Sequence, residues 1–255
     1  METMNPHKAL ILSFYKEVIG NRNAELAKDI IAEDYIQHNP MLKTGITGIL
    51  EAIEFLKNIP IKTPSRSPIR RIICDQDYVM THLLVEVGNS KQLVIDLFRL
   101  SEGKIQEHWD AIETYPAETQ NVDFLIDGPM EVMDHALTDV NKQKVQDFIQ
   151  KGLMENELEQ IADLVHEHFI LHHLHTKEGS KGLENLHAKS DGLSIQKIHR
   201  IIGEGNFILA QLEGQKGEKS MASYQLYHLV EGEITDCWTV SQEIPKTMAH
   251  ENGMI

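Results

Sequence analysis

Residues 14–48 contain FYKEVIGN…IIAEDYIQHNPMLKTGITG, and residues 148–182 contain FIQKGLME…LVHEHFILHHLHTKEGSKG. Aligned without a gap, Phe14 matches Phe148, Glu33 matches Glu167, His38 matches His172, Gly45 matches Gly179 and Gly48 matches Gly182. Further on, Arg71-Ile72-Ile73 returns as Arg200-Ile201-Ile202. Gly103-Lys104-Ile105 with Trp109 returns as Gly232-Glu233-Ile234 with Trp238. A repeat of this length is a whole domain, not a solenoid unit of about 20–50 residues. The chain therefore reads as two copies of one fold: residues 1–118, a linker over 119–140, and residues 141–255.

Each copy opens with helical periodicity and ends in strands. Leu10, Ile11, Phe14, Val18 and Ile19 recur at helical spacing, and Gly20-Asn21 supplies a stop. Leu26, Ile30 and Ile31 predict a second helix, and residues 48–56 a third. Strands are predicted over 70–74, 78–87, 92–100 and 104–112. The second copy repeats the order, with helices at 142–154, 157–167 and 181–190 and strands at 196–203, 206–214, 219–230 and 233–242. The linker carries Asp127-Gly128-Pro129 and room for a short helix at 131–137. Helices followed by a strand meander predict an α+β class: two tandem curved antiparallel sheets, each with helices over its concave face. Such a face is a usual place for a small-ligand pocket.

Composition narrows the function. The chain has 255 residues and a net charge of −15, and no basic cluster exceeds Arg70-Arg71. That speaks against nucleic acid and against an anionic membrane surface. No apolar run approaches a membrane span. The N-terminus METMNPHKAL lacks a secretory pattern, and Cys74 and Cys237 fall at different points of the repeat. A reducing, cytoplasmic setting is the expectation, with no disulfide framework.

The chemistry concentrates in the hairpin 92–112. Its turn is Ser101-Glu102-Gly103. A two-residue turn puts Glu102 at positive φ, so a three-residue loop ending on Gly103 is expected. That loop pairs Asp96 with His108 and Val94 with Asp110. Asp96, His108 and Asp110 then share one face and Trp109 the other, unless a bulge intervenes. The trio has two readings: a solvated outer face, or a buried acid/base group whose carboxylate pKa is raised for proton transfer. The same register places Gln225, Cys237 and Thr239 in the second copy. Every titratable carboxylate and imidazole of the trio is replaced there. Loss of a site explains this, and so does drift of surface residues.

Histidines form a second cluster. His38 precedes the Asn39-Pro40 turn, where it serves as a turn residue or a site residue. Between 166 and 187 lie His166, His168, His172, His173, His175 and His187. They raise a metal hypothesis, but no HExxH pattern or Cys ligand joins them. No Gly-x-Ser-x-Gly elbow, phosphate loop or dinucleotide fingerprint is present. The expectation is no metal and no cofactor.

With these motifs in hand, the first copy resembles the SnoaL-like polyketide cyclases of the nuclear transport factor 2-like superfamily. The resemblance rests on Phe14-Tyr15, on Asp34-Tyr35-Ile36-Gln37-His38-Asn39-Pro40 with Gly45 and Gly48, on residues 94–100 (VIDLFRL) and on residues 103–110 (GKIQEHWD). It implies a cone-shaped α+β barrel with an apolar pocket and cofactor-free acid/base chemistry on a small apolar carbonyl compound, such as aldol cyclisation or isomerisation. It implies Asp110 as general acid/base, with Asp96 and His108 orienting it or binding the developing enolate. His38 becomes a pocket wall residue, and Tyr35, Trp109 and Phe14 are the other substrate-binding candidates. It also implies an intramolecular pseudo-dimer or a homodimer. A non-catalytic ligand-binding or scaffold protein, or a related hydrolase, is the alternative. Whether His172, Gln225, Cys237 and Thr239 constitute a site stays open.

Overall fold

The computed structural model describes residues 4–59, 67–174 and 192–255. It contains two five-stranded open sheets, and the class is α+β with two tandem domains. The first sheet is built from β1 (Ile31–Gln37), β2 (Ile69–Asp75), β3 (Tyr78–Val87), β4 (Ser90–Ser101) and β5 (Lys104–Pro116), in the order β1-β5-β4-β3-β2. The second is built from β6 (Val165–His172), β7 (Leu193–Glu204), β8 (Phe207–Lys216), β9 (Lys219–Val230) and β10 (Glu233–Glu243), in the order β6-β10-β9-β8-β7. The topologies are identical, as the repeat requires.

Before the first sheet come α1 (Pro6–Ser13), a π-helical stretch Phe14–Gly20, and α2 (Ala24–Ile30). Pro6 stands at the first turn of α1, and the Asn5 side chain accepts from the backbone N–H groups of His7 and Lys8. Asn23 caps α2 through Leu26 N. α3 (Ile46–Lys57) follows β1. The inner faces of these helices supply Ile11, Phe14, Val18, Ala27, Ile49 and Ile53 to a core closed by Phe98, Leu100 and Ile105 of the sheet. In the second copy, α4 (Thr138–Asp147) runs into a π-helical stretch Phe148–Met154, and Val145, Phe148 and Ile149 pack with Ile208, Tyr227 and Cys237.

Two matching glycines of the repeat have a physical cause in the first copy. Gly45 has φ 78° and ψ 168°, a backbone region that side chains resist. A Cβ on Gly48 would lie 1.9 Å from the Lys43 carbonyl oxygen. Gly48→Ala is therefore expected to cost about 1–3 kcal/mol, read as a lowered midpoint in chemical denaturation. An unchanged midpoint would show that the loop yields freely.

Three expectations need correction. Residues 31–37 are strand, not the end of a helix, and pair in parallel with β5 (Gln37 opposite His108). Likewise residues 157–167 hold only 3₁₀ turns at Leu158–Gln160 and Ala162–Leu164 before β6, which is parallel to β10. The sheets are thus mixed, not wholly antiparallel, and they do not close into a barrel. Each missed strand is a short edge strand whose partner lies far along the chain, so local periodicity does not announce it. The hairpin turns also differ: Glu102 and Gly103 have φ of 50° and 76°, and Glu231 and Gly232 have 51° and 85°. Both are two-residue turns whose twist matches the strands, and this outweighs the cost of positive φ at glutamate. The helix predicted at 181–190 lies outside the described residues.

The linker is ordered as two 3₁₀ turns, Val122–Ile126 and His135–Leu137, rather than a helix over 131–137. Val122, Leu125 and Ile126 are buried. By proximity the chain forms two compact units: residues 1–81, 96–110 and 245–254 in one, residues 82–95, 111–244 and 255 in the other. The boundaries 1–118, 119–140 and 141–255 mark the repeat and stay a proposed division by descent. Among the described residues no helix is long and apolar enough to cross a membrane.

Candidate active site

The short turn would by itself misalign the trio, and a bulge restores it. In the second copy, Ile234 faces Leu229 but Asp236 faces His228, so one residue is extruded. Beyond the bulge Cys237 faces Tyr227 and Thr239 faces Gln225. The first copy has contacts of the same register: Arg99 reaches Glu107 and the Phe98 ring stacks on His108 at 4.4 Å. This register sets Asp96 opposite Asp110, not His108 as the sequence predicts, and keeps all three side chains on one face.

Asp96, His108 and Asp110 are buried, at 6%, 8% and 4% exposure. His108 Nε2 lies 2.9 Å from Asp96 Oδ1. The Tyr15 hydroxyl donates to Asp96 Oδ2 and lies 2.7 Å from Thr81 Oγ1. Asn39 Nδ2 donates to Asp110 Oδ2 at 2.6 Å. Asp110 Oδ1 is buried with no hydrogen-bond partner among the described residues. A buried acceptor left unpaired is costly, so its position calls for a functional reason.

The electrostatics follow from this geometry. Burial pushes the Asp110 carboxyl up to about 6; the Asp96 charge adds to the rise, while His108 and the Asn39 bond oppose it. Burial alone would lower the His108 imidazolium, but the hydrogen bond to Asp96 and the charges of Asp96 and Asp110 outweigh it, so its pKa is raised. Burial also raises the Tyr15 and Tyr35 phenols, which stay protonated as donors. The group therefore holds a carboxyl that exchanges a proton near neutrality beside the hydrogen-bonded His108–Asp96 pair.

The other predicted residues fall in two places. Tyr35 is buried near the trio and accepts from Gln37 Nε2 at 3.0 Å. Phe14 packs edge-on against Tyr15 and Phe98, one ring removed from His108. His38 and Trp109 belong to the other face of β5. Their rings stack at 4.7 Å, and His38 Nε2 lies 2.9 Å from Glu107 Oε1. His38 Nδ1 donates to the Gly253 carbonyl. The second copy repeats this arrangement: His172 stacks on Trp238 at 4.6 Å, lies 2.9 Å from Asp236 Oδ1 and donates to the Phe124 carbonyl.

Sequence reasoning missed Tyr15, Asn39 and Thr81. Asn39 was hidden in a turn signal, Tyr15 in a π-helical stretch that shifts the helical phase, and Thr81 in an ordinary strand pattern. It also missed the support of residues 249–253. Ala249 N donates to Pro40 O, His250 Nε2 to Asn39 O, and Asn252 Nδ2 to Gln37 O at 2.9 Å each. These bonds hold the loop that aims Asn39 at Asp110.

Among the described residues, the group able to converge on a metal ion is Asp96, His108 and Asp110, not the histidines 166–173. His175 and His187 lie outside the described residues. In the trio, His108 Nε2 and Asp96 Oδ1 already face each other, and Tyr15 and Asn39 occupy a second oxygen of each carboxylate. An ion would have to displace these bonds, so the donor set fits proton exchange better than metal binding.

The match to a known family falls on the first copy. Residues 9–121 match the model of the SnoaL-like polyketide cyclase family. A candidate ketosteroid isomerase from Kribbella flavida is 14% identical, with 43% of this chain and 83% of that one covered and a TM-score of 0.37. A candidate polyketide cyclase from Acidithiobacillus ferrooxidans is 16% identical, covering 44% and 92%, with a TM-score of 0.38. An LEH-like epoxide hydrolase from M. tuberculosis is 15% identical, covering 41% and 84%, with a TM-score of 0.32. No curated protein matches the chain. The family match spans most of the helices, the five-stranded sheet and the buried Asp-His-Asp group of the first copy, and a little under half of the chain.

Proposed function

We propose that the first copy is a cofactor-free acid/base enzyme acting on a small, mainly apolar carbonyl compound by aldol cyclisation or isomerisation. The observation that carries this reading is Asp110: buried, with Oδ1 unpaired and its pKa raised to about 6. Such a carboxylate removes a proton from carbon next to a carbonyl and returns it later. Asp96 and Tyr15 hold His108 as a donor toward the enolate oxygen that forms. Tyr35 and Phe14 wall this side. His38 and Trp109 are scaffold in this reading, because the second copy keeps the same stack without the trio. The wall roles that the family resemblance gives them are not retained. The trio is buried, so turnover requires side chains over Asp110 to move and admit substrate.

The test is exchange of α-protons. A panel of cyclic and acyclic ketones incubated with the protein in D₂O, followed by NMR, is expected to show enzyme-dependent deuteration that survives EDTA. Exchange abolished by EDTA would point to a metal in the trio instead. The rate is expected to rise with pH as Asp110 ionises, with a limb near its value of about 6. Removal of residues 249–255 is expected to lower the rate about tenfold or more through loosening of Asn39. An unaltered rate would show that the terminal segment does not position the site. For assembly, we propose that the two copies pair within one chain; light scattering showing a dimer of chains would favour the homodimer.

A further inference from the structure

The polar group of the first copy is dismantled in the second. Tyr15, Asn39, Thr81, Asp96, His108 and Asp110 correspond to Ile149, His173, Ala210, Gln225, Cys237 and Thr239. In place of the group, the second unit has a cavity of about 670 Å³, within the range of about 300–1,000 Å³ usual for small-ligand sites. Its lining includes Leu171, Ile195, Cys237, Gln225, Thr239 and the pair Ser223–Ser241.

The lining is ordered by register. Thr239 faces Gln225 and Ser241 faces Ser223, with the two serine hydroxyls 2.8 Å apart. Tyr227 donates to Gln225 Oε1 and so fixes the amide orientation. Gln225 Nε2 is left as a donor without a partner among the described residues, beside the Thr239 hydroxyl, which is likewise unengaged. Burial holds the Cys237 thiol protonated, so it behaves as an apolar wall. The carboxylates of the lining are already committed: Glu113 accepts from Ser241 N and from Tyr115, and Glu243 pairs with Lys219. Lys216 and His173 of the lining are engaged in interactions of their own, and of the six positions only His173 keeps a proton-carrying group of the acid/base kind, with no carboxylate among the other five.

We infer that this cavity is a second, non-catalytic ligand site, taking a neutral, mainly apolar molecule that presents a carbonyl or hydroxyl oxygen to Gln225 Nε2 and Thr239 Oγ1. The inference rests on the cavity and not on the acid/base reading of the first copy.

Prodan, a neutral naphthyl ketone whose emission shifts to the blue in apolar surroundings, is a direct probe. The full chain is expected to bind it saturably. Thr239→Trp, which fills the cavity, is expected to abolish that binding while circular dichroism stays unchanged. Thr239→Val, which keeps shape and removes one hydroxyl, is expected to weaken it about fivefold, the effect of one hydrogen bond. Absence of saturable binding overturns the inference. So does binding that a folded Thr239→Trp leaves intact. If that variant fails to fold, Thr239→Val decides: unchanged affinity overturns the inference. None of these readouts depends on turnover, so loss of activity in the first copy and loss of binding in the second are separately visible.

Discussion

Asp110→Asn is expected to lower turnover by about 10²- to 10⁴-fold, the contribution of one positioned acid/base group. The shape is kept, and the Asn39 bond survives because an amide oxygen still accepts. The same change is expected to alter stability in a pH-dependent way. The folded-state pKa of Asp110 is raised from its ordinary carboxylate value to about 6. Its ionised form is therefore disfavoured by folding. The contribution is fully present below the unfolded pKa and is lost as pH rises through the folded value. At about pH 8 the variant should be more stable than the wild type by about 1–3 kcal/mol, and at about pH 3 the two should converge. Denaturant melts at the two pH values check this. A variant that loses activity and also loses stability at the higher pH would mean that Asp110 serves the fold rather than the reaction.

Asp96→Ala is expected to have the largest effect on folding. It strips an acceptor from His108, from the Tyr15 hydroxyl and from the network that includes Thr81, all away from solvent. Breaking a buried pair from one side costs about 3–5 kcal/mol, because the remaining charge is left without its partner. The sign with pH is the same as that of Asp110, because both folded-state pKa values are raised. His108 has a raised folded-state pKa, so its contribution is present below its unfolded value and fades as pH rises through the folded one. The destabilisation should be greater at about pH 6 than at about pH 9. Denaturant melts across that range provide the readout. A penalty independent of pH would show that the pair is not ionised in the folded state.

The sequence made much of this visible, and the failures have physical causes. The repeat announced two copies because the matched residues do fold-level work: Gly48 under the Lys43 carbonyl, and Trp109 and Trp238 under their histidines. The trio was legible because strand alternation survives small errors of register. Two errors compensated here, since a turn one residue shorter than expected was followed by a bulge of one residue. The edge strands β1 and β6 were not legible. Their pairing with β5 and β10 is parallel and long-range, and the exposed Glu33-Asp34 and Glu167-His168 masked the pattern. Nor could spacing show that His250 and Asn252 reach Asn39 and Gln37, more than two hundred residues away in the chain. The same distance hid the role of Asn39, which reads locally as a turn residue and spatially as the partner of Asp110.

The two copies thus make an internal comparison. Both keep the His–Trp stack, and only the first keeps the buried acids. What is shared belongs to the fold, and what differs belongs to chemistry. On that basis the first copy is expected to react and the second to bind.

The central claim is that Asp110 is a buried carboxyl poised near neutrality. Carbon-13 NMR of the protein labelled at aspartate carboxyls, with Asp110→Asn used to assign the signal, measures this without any substrate. The account predicts an Asp110 resonance titrating near 6. A midpoint close to 4, the ordinary aspartate value of about 3.9, would contradict it.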